Sequence, residues 1–167
     1  METLEAIRTR RSMREFSGKK VSKEIIEEIL EAGRWAPSGM NNQPWRFVVV
    51  SDKKTNELLS EQTHYDDILK FAPCAIAVFY DMDSGYERTK DVLAIGACIQ
   101  NMLLAARSLD LASCWLGEIL KNKEKVALLL EAPASYELMA VIALGESNEK
   151  PDKGDRKEMD ELIYKWT

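Results

Sequence analysis

A single domain of helices packed on a sheet of short strands is the fold this sequence predicts, and three observations carry it. Four apolar, β-branched runs punctuate the chain: Trp45–Val50, Cys74–Tyr80, Ala112–Gly117 and Leu138–Leu144. Before and between them lie segments whose apolar residues recur at helical spacing. No Pro/Gly/Ser-rich linker, low-complexity tract or internal repeat divides the 167 residues, a length that buries one proper core. Strands alternating with helices favour, taken alone, a parallel sheet covered on both faces.

Composition removes several function classes. A net charge of −5 argues against general nucleic-acid binding, so an anionic ligand has to be held by a local group of Arg and Lys. No apolar run reaches the length of a membrane span, and Met1–Glu5 does not open a signal peptide, so a cytoplasmic location without membrane partners is expected. Cys74, Cys98 and Cys114 are odd in number, widely spaced and set among apolar residues, as reduced core thiols are. His64 is the only histidine and sits in a polar stretch, so a zinc site or a Ser-His-Asp triad lacks partners.

In chain order, Thr3 caps a first short helix with Leu4 and Ile7 inward. Ser22 caps the next, Lys23 to Ala32, which turns Glu24, Glu27 and Glu28 outward and Ile25, Ile26, Ile29 and Leu30 inward before Gly33 ends it. Ser51 or Asp52 starts a polar helix that buries Leu58 and Leu59 and lasts to about Gln62. A polar loop, Asp81 to Arg88, follows the second strand. From about Thr89 to Leu109 runs the longest helix, apolar around most of its circumference. Such a helix must be covered on several sides, and in a chain this short a second copy is the readiest cover; a homodimer is expected. Asn122 caps a helix from Lys123 to Leu130, and Pro133 halts the chain before the fourth strand. Gly145 opens a polar tail that ends in a short amphipathic helix, Met159 to Trp166. Its apolar residues Met159, Leu162, Ile163 and Trp166 need a surface, so the tail 146–167 is expected to dock, across the dimer.

Two stretches carry chemistry. Arg8-Thr9-Arg10-Arg11-Ser12-Met13-Arg14 holds four guanidiniums and the Ser12 hydroxyl within seven residues of an acidic protein. Arginine's planar fork suits phosphate, and in an extended segment Arg10, Ser12 and Arg14 share one side. The second stretch is Ala36 to Val50. Pro37, Ser38 and Gly39 make a loop with little bulk, so backbone can approach a flat ligand; Asn41, Asn42 and Gln43 then offer three amides before Pro44 closes into a strand. Such a loop suits a planar heterocycle, and it reads equally as a polar connection. Gly117 ends the third strand, where glycine permits close approach or simply a turn. Lys150, Lys153, Arg156 and Lys157 form a second basic group in the tail.

Together these elements resemble the FMN-dependent nitroreductase family over nearly the whole chain. Arg10-Arg11-Ser12-Met13-Arg14 with Phe16 is similar to its R-R-S-x-R-x-F element, and Ala36 to Phe47 to its A-P-S-x-x-N-x-Q-P-W-x-F element. Ile95–Ala106, then Leu109-Asp110-Leu111 and Ser113–Gly117, resemble its long helix and glycine-bearing strand. Ala143-Leu144-Gly145, Pro151 and Arg156-Lys157 resemble its close. The resemblance implies an α+β three-layer sandwich, with a mainly antiparallel central sheet flanked by helices, in an intertwined homodimer with FMN at the interface. It assigns Arg10, Arg11, Ser12 and Arg14 to the phosphate, ribityl chain and pyrimidine edge. Pro37, Ser38, Gly39, Asn41 and Gln43 of the other subunit line the ring, Leu116, Gly117 and Glu118 face N5, and Arg156 with Lys153 grips the phosphate. Two departures stand out. Gly39 replaces a serine frequent in the family's Pro-Ser-Ser loop, and Gln62 to Asp67 lacks an asparagine that many members bond to the pyrimidine edge.

The activity so implied is NAD(P)H oxidation through FMN, with hydride passing by N5 to an electron-poor acceptor such as a nitroaromatic or quinone, donor and acceptor alternating at one site. No side chain need act as acid or base, and no metal is required. The rivals are another flavin reaction of this fold, such as reductive dehalogenation or oxidative flavin cleavage, a flavin carrier or sensor without useful turnover, and a structural dimer whose basic groups are merely solvated.

Overall fold

Alternation along one strand sets the architecture. In the computed structural model, which describes residues 1–167, strand β2 (Cys74–Asp81) is buried along its whole length. Cys74, Ile76, Val78 and Tyr80 point into one core and Ala75, Ala77 and Phe79 into another, as the two-residue period of a strand requires. The partners are β1 (Trp45–Val50), β3 (Ala112–Leu116) and β4 (Tyr136–Gly145), in the order β1-β2-β4-β3, every pair antiparallel. The parallel sheet that alternation alone favours is therefore corrected. β1 with β2 and β3 with β4 are consecutive strands whose helical connections return the chain antiparallel, and only the β2–β4 pair joins strands that are not consecutive.

One face is covered by α2 (Lys23–Arg34) and α5 (Arg88–Ser108), which pack on each other. Ile26, Ile29, Ile95, Ile99 and Met102 fill that layer. The other face carries α3 (Lys53–Ser60), α4 (Asp66–Phe71) and α6 (Lys123–Leu129), with Leu59, Leu69 and Val126 inward. This is a three-layer α+β sandwich. Cys74, Cys98 and Cys114 are buried free thiols, and burial pushes Cys74 up to about 11 and Cys98 up to about 12. No helix is long and apolar enough to cross a membrane.

Several local expectations need correction. α1 (Thr3–Thr9) follows Glu2, not a Thr3 cap, and buries Ala6 against α5 while Leu4 and Ile7 face outward. α2 runs through Gly33 to Arg34, and glycine stands at 33 not to end the helix but because Met102 and Cys98 of α5 press on that position. α3 starts at the Asp52 cap and buries Leu59 but not Leu58, and α4 rises from a segment that carries no strong helical signal. Asn122 makes no cap bond, its amide going to the Gln62 carbonyl at 2.9 Å. The final helix, α7, spans only Met159–Leu162, and Met159, Leu162 and Trp166 are exposed, so the end of the tail finds no docking surface on its own chain.

Gly145 joins the sheet to the N-terminal segment. A Cβ there would lie 2.6 Å from Pro73 Cδ and 3.1 Å from Phe16 Cδ1, both confined. Gly145→Ala is expected to cost about 1–3 kcal/mol by overpacking, read as a lowered urea midpoint with unchanged slope.

Candidate functional site

The arginine segment reaches its position because α1 stops at Thr9 and the chain continues extended along the open edge of β3. Arg10 has extended dihedrals, Ser12 forms a parallel bridge with Ser113, and the Met13 N–H donates to the Ser113 carbonyl at 3.0 Å. A hollow of about 120 Å³ lies beside it, lined by Arg10, Arg11, Arg107, Ser113 and Glu149 among others. A second, about 150 Å³, follows along the same segment between Arg14, Tyr65, Cys114 and Gly117.

The two ends of the polypeptide converge here. Burial first, then the charges of Arg156 and Arg11, hold the Arg10 guanidinium below its ordinary pKa. None of Arg8, Arg10, Arg11, Arg14, Lys153 and Arg156 forms an ion pair with a carboxylate. Arg10 Nε is a buried donor without a partner. Positive groups gathered without a carboxylate in ion-pair contact repel one another, and an orphaned guanidinium N–H asks for an acceptor. A phosphate dianion satisfies both demands.

The predicted residues divide by what they already hold. Arg11 is spent on carbonyls: Nε donates to Asp152 O at 2.9 Å and Nη1 to Arg8 O and Arg10 O, while Nη2 reaches Lys153 O. It straps the tail to the N-terminal segment, bringing Arg156 near enough for its charge to act on Arg10. Lys153 contributes its carbonyl to that strap and its side chain is exposed. Arg14 is exposed; its backbone N–H donates to Glu149 Oε2 at 2.7 Å, and its guanidinium to Ser12 O at 3.2 Å. Leu116 is buried beneath the turn at Gly117. Glu118 accepts from Thr63 Oγ1 at 2.7 Å and His64 N–H at 3.0 Å and pairs with Lys121. Those bonds, Lys121's first, lower its pKa to about 2. Its carboxylate is thus committed to the loop that carries Tyr65.

Pro37, Ser38, Gly39, Asn41 and Gln43 lie at the opposite corner. Ser38 Oγ accepts from the Gln43 N–H at 3.0 Å, closing a loop in which Met40, Asn41 and Gln43 have φ of 54°, 56° and 48°. A conformation that L side chains seldom adopt, held at three positions, is local strain that the surroundings must enforce. Asn42 does so, donating to Asp91 Oδ1 at 2.7 Å and to Ser84 O at 3.1 Å. Asn41 is left exposed. From β1 to β3 is three strand spacings, about 14 Å. Trp45 is level with Glu137 and Ser113 with Leu144, a further offset of about 24 Å along β4. The arginines and the loop are not brought together within one chain.

Sequence reasoning passed over Tyr65, Arg107, Ser113 and Glu149, which line the hollows. Tyr65 comes from the stretch without the expected asparagine. Arg107 had the signal of a basic last-turn residue of α5, and Ser113 and Glu149 had none.

The nitroreductase family model matches residues 7–146. An NADH dehydrogenase/NAD(P)H nitroreductase candidate from Archaeoglobus fulgidus is 38% identical over 154 residues, 90% of this chain and 88% of that protein. A nitroreductase candidate from Desulfovibrio desulfuricans, solved in complex with FMN, superimposes with a TM-score of 0.95 at 39% identity, covering 100% of this chain and 98% of that one. An iodotyrosine deiodinase from Thermotoga neapolitana is 27% identical, over 90% of this chain and 91% of that protein.

Proposed function

This chain belongs to the nitroreductase family and is a flavin-dependent oxidoreductase, and we propose that it oxidises NAD(P)H and reduces an electron-poor acceptor such as a nitroaromatic or quinone. The observation that carries this reading is the unpaired Arg10 beside Arg156. FMN is the cofactor; when bound it accepts and returns hydride at N5, so no side chain needs to act as acid or base. In this reading Arg10 and Arg156 grip the phosphate, with Ser12 beside them. Arg14 and the backbone at Leu116, Gly117 and Glu118 border the ring, and Arg14's charge favours electron density arriving at the pyrimidine edge. Donor and acceptor take turns on the open side.

The working unit is a homodimer. Hollows of about 120 and 150 Å³ are half-sites, since drug-sized ligands occupy roughly 300 Å³ or more. The loop at Pro37 to Gln43 completes the site of the partner, which resolves the separation of the two corners. The outer face of α5 supplies the contact: Leu93 is 70% exposed, and a Cβ at Gly96 would meet nothing within 4 Å. Leu4 and Ile7 extend that apolar face, and the tail helix with Trp166 crosses to the other subunit. Leu93→Arg is expected to give monomer on gel filtration and at least tenfold weaker FMN retention.

One spectrum tests the activity. The purified protein is expected to be yellow, to bleach under NADPH without air, and to recover on adding a quinone. A colourless protein that takes up no FMN on titration would refute it. Reductive dehalogenation is the second reading, supported by the likeness to the deiodinase. Bound flavin that NAD(P)H leaves oxidised, with iodotyrosine turnover under dithionite, would favour it.

A further inference from the structure

Gly39 and Tyr86 compete for one space. A Cβ on Gly39 would lie 2.2 Å from the Tyr86 hydroxyl, 2.6 Å from its Cε1 and 2.7 Å from its Cζ. Backbone does not demand glycine there, because Gly39 is outside the positive-φ set that includes Met40, Asn41 and Gln43. The tyrosine excludes the side chain, and its own hydroxyl stands close to where a serine hydroxyl at 39 would be. That position is one where this chain departs from the Pro-Ser-Ser pattern. A hydroxyl is present after all, delivered from another loop.

The placement is enforced by a single carboxylate. Asp91 Oδ2 accepts from the Tyr86 N–H at 2.9 Å, and Oδ1 accepts from Asn42 at 2.7 Å, so both loops are tied to the same turn of α5. The phenol has no hydrogen-bond partner of its own, and the side chain is 46% exposed. Lys90 Nζ stands 5.2 Å from the ring centroid, a cation–π contact that helps hold the ring in place. An unengaged donor packed against the loop that completes the partner's site has a ligand to meet.

We propose that Tyr86 is a cofactor-contacting residue whose hydroxyl donates to a heteroatom on the edge of the flavin ring held in the partner's site. This rests on the FMN-binding reading above and adds to it a residue outside the loop at Pro37–Gln43. A donor at the ring edge favours the more electron-rich reduced form, so the contact raises the reduction potential as well as the affinity.

Tyr86→Phe keeps the ring that fills the space over Gly39 and removes a hydroxyl with no internal partner, so folding is untouched. Fluorescence titration is expected to show FMN binding three- to tenfold weaker, the worth of about one hydrogen bond, with a lower midpoint potential in a dye-coupled titration. Gly39→Ser alone displaces the phenol and weakens binding too. Gly39→Ser combined with Tyr86→Ala returns a hydroxyl to the same place and restores affinity to within about twofold of the original. Wild-type protein that binds FMN, with Tyr86→Phe matching it in both affinity and potential, overturns this contact alone. Wild-type protein that binds no FMN overturns the family reading and the contact with it.

Discussion

Replacing Arg10 with methionine is expected to weaken FMN binding by about 10- to 100-fold while leaving the FMN-free protein as stable as before or more so. The two halves of that result have opposite signs for one reason. A charge-assisted hydrogen bond to phosphate is worth about 1.5–3 kcal/mol, and Arg10 is half-buried with an unpartnered Nε beside Arg156 and Arg11. In the absence of an anion that guanidinium is desolvated and repelled. Methionine retains the packing of the stem and removes the charge, so nothing favourable is lost until phosphate is offered.

Riboflavin supplies the control, because it has the ring and ribityl chain without the phosphate. Wild-type protein is expected to prefer FMN to riboflavin by a wide margin. Arg10→Met collapses that preference by weakening FMN alone, and Arg156→Ala does so to a lesser degree from its exposed position. Differential scanning fluorimetry checks the other half: added FMN raises the melting temperature of the wild type and not of Arg10→Met. If Arg10→Met bound FMN as the wild type does, the phosphate would lie elsewhere on the chain.

What could be read in advance follows from how local each cause is. The four strands announce themselves because each is a short apolar run, and the arginine segment because phosphate chemistry needs few residue types at close spacing. Which face of a short helix is buried is not local. Leu4 and Ile7 look like core and lie outside because Ala6 makes the close packing on α5. The antiparallel sense of the sheet was legible only through resemblance, since the same alternation of elements serves parallel and antiparallel sheets, and the strand order was not legible at all. The amides of the loop illustrate a subtler loss. Asn41, Asn42 and Gln43 are alike in sequence, yet Asn42 is consumed in holding the loop to Asp91 and Asn41 is left free. Gly39 is glycine because of Tyr86, a residue from a different loop, and no inspection of its neighbours shows that.

Asp91→Ala is expected to destabilise the fold by roughly 3–5 kcal/mol and to loosen FMN binding although it touches no cofactor. Asp91 is wholly enclosed, at 0% exposure, in the first turn of α5, where a carboxylate also complements the helix dipole. It accepts from Asn42 Nδ2, the Tyr80 hydroxyl and the backbone N–H groups of Tyr86 and Glu87, at 2.7–3.1 Å. Removing it strands those donors in the interior, each costing about 1–3 kcal/mol where water cannot reach. Burial by itself would raise the carboxyl's pKa; the bonds from Asn42, Tyr86, Tyr80 and Glu87 outweigh it and hold the folded value below that of an ordinary aspartate. A depressed folded pKa means that the stabilisation is complete above the unfolded value and is lost as pH falls through the folded one. Urea melts of the wild type are therefore expected to weaken below about pH 4 relative to those of Asp91→Asn, whose amide does not titrate. Asp91→Asn, able to keep part of the bonding, loses only about 1–2 kcal/mol at pH 7. Equal stability of Asp91→Ala and wild type at pH 7 would mean that the strained loop at Met40–Gln43 is held by something other than this carboxylate.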